Sequence, residues 1–163
     1  MNGRTDAILL AGDDDDHLEK LALGLQAEKF KVLPVKNRDS VITLARSELP
    51  SLILLDFQSC FDICRILKRN FVTEPIPIIA LLFPAEEVDR VAALELGADD
   101  CMAKPINIRE LTLRMRCSLN RARDKKGKAK YKQSLYYLLF CLSTTILSLE
   151  DRHGYLSFTS LLD

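Results

Sequence analysis

A chain of 163 residues, 48% hydrophobic and 28% charged, has room for one packed domain and a tail. That balance excludes a fibrous or disordered chain, and Met1 to Asp6 lacks the basic-then-apolar pattern of a secretory leader, so cytoplasmic residence is the expectation. Net charge is zero but unevenly spread: Arg109 to Lys132 carries ten Lys and Arg against Glu110 and Asp124, a local +8 that leaves an acidic body.

The first apolar run, Ala7-Ile8-Leu9-Leu10-Ala11, predicts a buried strand, ended by Gly12 and the four acids Asp13 to Asp16. Leu18, Leu21, Ala22 and Leu25 then recur at helical spacing, with acids at the helix start. His17, among those acids, reads as a surface residue. Val32 to Val35 predicts a second strand. Asp39 or Ser40 caps a helix whose inner face is Val41, Ile42, Leu44, Ala45 and Leu49. The run Ser51-Leu52-Ile53-Leu54-Leu55-Asp56 predicts a third strand buried on both faces and ending in a carboxylate.

Phe61 to Phe71 reads as a helix, with Phe61, Cys64 and Leu67 or Lys68 on successive turns, broken by Pro75-Ile76-Pro77. Ile78 to Leu82 is a fourth all-apolar strand. Glu86 to Leu96 is a helix with Val88, Val91, Ala92 and Leu96 inward and Gly97 as its stop. Cys101-Met102-Ala103 is a brief fifth strand closed by Lys104-Pro105. Asn107 caps a last helix through Ile108, Leu111, Leu113, Met115 and Leu119. The five cysteines, Cys60, Cys64, Cys101, Cys117 and Cys141, lack zinc-site spacing and read as reduced, packed thiols.

Five short apolar strands alternating with five helices predict a flavodoxin-like, doubly wound parallel sheet of order 2-1-3-4-5. In that order the carboxyl ends of strands 1, 3 and 5 lie side by side. Asp13 and Asp14, Asp56 and Lys104 are therefore expected at one crevice. Clustered carboxylates repel unless a cation joins them, and hard oxygen ligands select Mg²⁺. Asp56 is then a candidate nucleophile that forms an aspartyl phosphate, with Lys104 neutralising charge on the phosphoryl oxygens.

With these pieces in place the chain resembles the response-regulator receiver domains of two-component signalling, from about Ala7 to Leu119. The resemblance rests on Ile8-Leu9-Leu10 with Asp13-Asp14, on Leu54-Leu55-Asp56, and on Phe61-Asp62-Ile63-Cys64-Arg65. It rests also on Pro77-Ile78-Ile79, on Glu87-Val88-Asp89-Arg90-Val91, and above all on Leu96-Gly97-Ala98-Asp99-Asp100 through Lys104-Pro105. The family implies that Asp13 and Asp14 help bind Mg²⁺ and that Asp56 accepts phosphate from a histidine kinase or phosphotransfer protein. It implies too that Lys104 contacts that phosphate and that the Lys104-Pro105 bond is cis. Such a chain is a signalling acceptor, not an enzyme with a turnover substrate.

Three departures bear on mechanism. Where the family usually carries Thr or Ser at the end of strand 4, this chain has Leu82, which cannot donate a hydrogen bond. Where it usually carries an aromatic rotor in strand 5, this chain has Cys101. The loop Phe57-Gln58-Ser59-Cys60 is shorter than the family's, which weakens Gln58 as a backbone-carbonyl ligand of the metal. A phosphorylation-independent pseudo-receiver, kept as an interaction module, is therefore the alternative. An aspartate-based phosphatase is disfavoured because Gln58 stands where that class carries a second Asp.

Domain organisation follows from composition: a receiver domain over 1–123, a basic linker over 124–133, and a short apolar tail over 134–163. The linker contains Lys125 to Lys132, a candidate phosphate-backbone contact, so a truncated DNA-binding transcriptional regulator is a further alternative, though not the favoured one. The apolar stretch Leu135 to Leu149 is shorter than a spanning helix requires, and a membrane anchor is not favoured. Oligomeric state is left open, with a homodimer among the options.

Overall fold

A computed structural model describes residues 6–57, 60–82 and 87–127. Contacts within the chain separate a unit Met1–Arg123 from a unit Asp124–Asp163. In the first unit the strands are β1 (Ala7–Gly12), β2 (Lys31–Val35), β3 (Leu52–Asp56), β4 (Ile78–Leu82) and β5 (Asp100–Ala103). They alternate with the helices α1 (Asp15–Ala27), α2 (Arg38–Glu48), α3 (Phe61–Arg69) and α4 (Glu87–Glu95), and a fifth helix, α5, covers residues 108–127. All strand pairs are parallel and the order is β2-β1-β3-β4-β5, the flavodoxin-like arrangement expected from the alternation.

The all-apolar runs of β1, β3 and β4 follow from burial on both faces. On one face Leu9, Ala11, Ile53, Leu55, Ile78 and Ala80 pack against Val41 and Ala45 of α2, Ile63, Cys64 and Leu67 of α3, and Ala93 of α4. On the other, Ile8, Leu10, Leu52, Leu54, Ile79 and Leu81 meet Leu18, Leu21, Ala22 and Leu25 of α1 and Leu111, Met115 and Leu119 of α5. Alternate residues of each strand thus feed two separate apolar layers, and the sheet is held from both sides.

Several local expectations change. The cap of α2 is Asn37, not Asp39 or Ser40. Its extended backbone lets Oδ1 accept from Asp39 N at 2.9 Å. Leu49 leaves the helix in the left-handed region and is exposed, so it is a terminator, not a core residue. Phe71 lies beyond the end of α3 and is exposed.

The inner residue of α4 is Ala93, while Val88, Val91 and Leu94 face solvent. This helix carries apolar residues around most of its circumference, so spacing alone selects no face. The small Ala93 seats it on the sheet, and Ala98, past Gly97, is buried in the same layer. Leu113 of α5 is likewise exposed. Glu86, the expected first residue of α4, lies outside the described residues, as do Gln58, residues 128–133 of the expected linker and the whole tail 134–163.

The sequence's turn signals behave as expected at two places. Gly97 stops α4 with φ of 108°, where a Cβ would lie 2.6 Å from Lys68 Cγ. Asn107 caps α5, its Oδ1 accepting from Arg109 N at 3.0 Å and Glu110 N at 3.3 Å. Lys68 fastens the approach to β4. Its ammonium donates to Glu74 O, Ile76 O and Asp99 Oδ2, and Asp99 Oδ2 also accepts from Ile78 N.

Candidate functional site

The site is built where three strands end. Gly12, the last residue of β1, is in register with Asp56, the last residue of β3. The approach is close: a Cβ on Gly12 would stand 2.8 Å from the Asp56 carbonyl oxygen and 3.1 Å from Asp56 Cβ. Glycine lets the two backbones meet at this point. Beyond β5, Lys104 is pinned to the end of β4 by donation from its backbone N to Leu82 O at 3.0 Å, and the Lys104-Pro105 bond is cis, as the resemblance implied.

These ends open on a cleft of about 380 Å³ lined by Asp13, Asp14, His17, Asp56, Phe57, Leu81 and Lys104. The four residues expected at one crevice, Asp13, Asp14, Asp56 and Lys104, therefore share it. The Asp56 side chain is fully buried, and the Lys104 ammonium forms an ion pair with Oδ1. Among the described residues that ammonium is the partner of the buried Oδ1. Phe57 is buried beside it under the Arg38 guanidinium, 5.0 Å from the ring centroid.

The second oxygen of Asp56 is taken by a residue that the sequence reading placed at the surface. His17 Nδ1 lies 2.5 Å from Asp56 Oδ2, with the imidazole only 26% exposed. A carboxylate can only accept, so Nδ1 is the donor. The cause is local. Asp14 is the N-cap of α1, its Oδ1 accepting from His17 N at 3.1 Å, and this sets His17 one turn into the helix above the strand ends. The Asp-x-x-His spacing at a helix that follows a strand ending in this crevice was the available signal.

Asp14 accordingly turns one oxygen to its own helix, and Asp13 and Asp14 are both exposed at the rim. Among the described residues no three His, Cys, Asp or Glu side chains stand close enough together to hold a metal ion. Gln58, the doubtful carbonyl ligand, lies outside the described residues.

The β4 wall of the cleft is Leu81, while Leu82 turns into the opposite layer with Ala80 and Cys101. Neither leucine can donate a hydrogen bond into the site. Cys101 is buried in that same layer. Cys60 and Cys64 are buried free thiols just beyond the acidic strand end. The Cys64 thiol bonds the Cys60 sulfur and favours its thiolate, which lowers the Cys60 pKa, with Arg38 acting in the same direction. Donation to Cys60 and burial both push the Cys64 pKa up.

Comparison with known proteins agrees with this architecture. The family model described as the response regulator receiver domain matches residues 8–116. The phosphate regulon transcriptional regulatory protein PhoB of Pseudomonas aeruginosa is 35% identical over 125 residues, 74% of this chain and 54% of that protein. The DNA-binding response regulator MtrA of Mycolicibacterium smegmatis is 33% identical over 132 residues, 78% of this chain and 57% of that protein. The chain thus spans little more than half the length of these curated relatives.

Among solved structures, the signal receiver domain of a putative Luxo repressor protein from Vibrio parahaemolyticus superposes with a TM-score of 0.70 at 22% identity. That match covers 76% of this chain and 96% of the other. The receiver domain of the sensor histidine kinase PA1611 from Pseudomonas aeruginosa, described with a magnesium ion in its active-site cleft, gives 0.67 at 23% identity, covering 72% and 99%. At these identities the two structures speak for the fold alone. The family match, the regulator relatives and the sheet order agree, and the chain belongs to the response regulator receiver domain family of two-component signalling.

Proposed function

We propose that this receiver is a phosphoacceptor in which Asp56 takes a phosphoryl group from a histidine kinase or phosphotransfer protein, in the cytoplasm and with Mg²⁺. The observation that carries the reading is the buried Asp56 carboxylate at the end of the central strand, ion-paired with Lys104 in a cleft that also holds Asp13 and Asp14. In the transfer an Asp56 oxygen attacks phosphorus and forms an O–P bond. The donor's bond to phosphorus breaks, and its electron pair leaves with the donor. Lys104, already beside the carboxylate, neutralises charge on the incoming phosphoryl oxygens. Burial of Asp56 lowers the local dielectric and strengthens that contact.

The donor set suits Mg²⁺ in kind. Asp13, Asp14 and Asp56 offer hard carboxylate oxygens to one cleft, the first two exposed at its rim. When bound, the ion would offset the negative charge that the three acids and the phosphoryl group bring together. With Oδ1 paired to Lys104, a cation that reaches Asp56 competes with His17 for Oδ2.

A second reading has an observation of its own. Both Asp56 oxygens are engaged by side chains, and β4 offers Leu81 and Leu82 where a phosphoryl group would want a hydroxyl donor. A pseudo-receiver, acting as an interaction module without phosphate, fits that arrangement. Under either reading the chain is a signalling module, and residues 124–133 and 134–163 serve as linker and tail to its output. The DNA-binding relatives make Lys125 to Lys132 a candidate nucleic-acid contact, of which Lys125 and Lys126 are described and exposed.

Incubation with Mg²⁺ and a small phosphodonor, followed by intact mass measurement, separates the two. The phosphoacceptor reading expects a gain of one phosphoryl group in the wild type and none in Asp56→Asn. No gain in the wild type would establish the pseudo-receiver instead.

A further inference from the structure

We infer that His17 is a built-in latch on the phosphoacceptor: by donating from Nδ1 to Asp56 Oδ2 it occupies the carboxylate oxygen that a divalent cation or phosphoryl group must otherwise reach. The inference rests on the phosphoacceptor reading of Asp56 and adds to it a positioning residue that competes with the cation.

The geometry leaves little alternative role for the contact. Asp56 has a fully buried side chain, so its two oxygens can be approached only from within the cleft. Lys104 stands at Oδ1 and His17 at Oδ2. At 2.5 Å the imidazole nitrogen is in direct contact and leaves no space for a ligand between the two groups. The contact is not needed to hold α1 in place. That helix is capped by Asp14 and anchored by the buried Leu18, Leu21, Ala22 and Leu25. His17 is itself partly exposed, so a rotation about its side-chain bonds can carry the ring out of the cleft into solvent. A hydrogen bond to a charged group whose side chain is buried is among the stronger ones, so a ligand that displaces it forfeits affinity.

The latch predicts that removing the imidazole favours the cation. Titrating Mg²⁺ alone into the full chain by calorimetry should give a dissociation constant about tenfold lower for His17→Ala than for the wild type, equivalent to ~1.4 kcal/mol. His17→Leu should match His17→Ala and guards against a helix-specific effect of alanine. His17→Asn places an amide donor where Nδ1 stands and should restore the wild-type constant within about twofold.

Unchanged or weaker Mg²⁺ binding in both release variants would overturn the latch. Tightening by His17→Asn equal to that of His17→Ala would also overturn it, because the hydrogen bond would then not be the barrier. Circular dichroism of each variant confirms that the compared chains are folded. A parallel measurement with a small phosphodonor keeps the two readings apart. A faster mass gain in His17→Ala supports the latch, whereas no gain in any variant refutes the acceptor role of Asp56 and leaves the Mg²⁺ titration to decide the latch.

Discussion

Gly12→Ala tests whether the site depends on the close approach of two strand ends. The added Cβ would sit 2.8 Å from the Asp56 carbonyl oxygen, 3.0 Å from Leu18 Cδ2 and 3.1 Å from Asp56 Cβ. Two of those contacts are to β3 at Asp56, one of them to its carbonyl oxygen, so the conflict cannot be relieved by a side-chain rotation alone. Overpacking of this kind costs about 2 kcal/mol, within the usual range for an inserted methyl group. For a domain of this size that lowers the melting temperature by roughly 5–10 °C.

Gly24→Ala is the matched control. Its Cβ would meet only side-chain atoms of the partly buried Ile108, at 2.9 Å from Cδ1 and 3.0 Å from Cγ1, and that side chain can give way where a backbone carbonyl cannot. Gly24 is inside α1, where alanine gains up to ~1 kcal/mol over glycine. Urea denaturation of both variants reads the contrast. A Gly12→Ala variant within about 0.5 kcal/mol of wild type would refute the argument, because that is the noise of an ordinary surface change.

Other expectations follow from single contacts. Lys68→Met removes an ammonium that donates to Glu74 O, Ile76 O and Asp99 Oδ2, and should destabilise the fold by ~2 kcal/mol in urea unfolding. Val88→Lys and Val91→Lys fall on the exposed side of α4 and should change stability by less than ~0.5 kcal/mol, whereas burial of either side chain would make the cost several times larger. Brief alkylation of the native chain, read by peptide mass spectrometry, should modify Cys117 ahead of the buried Cys60, Cys64 and Cys101. Early modification of Cys60 or Cys64 would contradict their burial.

The sheet was legible because burial on both faces writes unbroken apolar runs. Leu52 to Leu55 and Ile78 to Leu82 admit no half-exposed reading, and each is a central strand. Helix faces were less legible in proportion to how evenly apolar residues surround them. For α1 a clean stripe gave Leu18, Leu21, Ala22 and Leu25, all buried. For α4 valine and leucine outweighed the small Ala93 that makes the contact.

The same division runs through the site. Asp56 and Lys104 are marked by strand ends, which order a sequence reading well, and they meet in the cleft. His17 went unrecognised because its role depends on the angle at which α1 leaves β1, set by the Asp14 cap. Leu81, not Leu82, forms the cleft wall because side chains of β4 alternate between the two layers, a one-residue matter of register.

The central claim is that Asp56 is a phosphoacceptor despite the leucines on β4 and the imidazole on its second oxygen. The most direct measurement is the intact mass of the wild-type chain after exposure to a small phosphodonor, in Mg²⁺ and in excess chelator, with Asp56→Asn alongside. The account predicts one added phosphoryl group in Mg²⁺ only, absent from the variant. An unmodified wild type, or a gain that persists in Asp56→Asn, would contradict it.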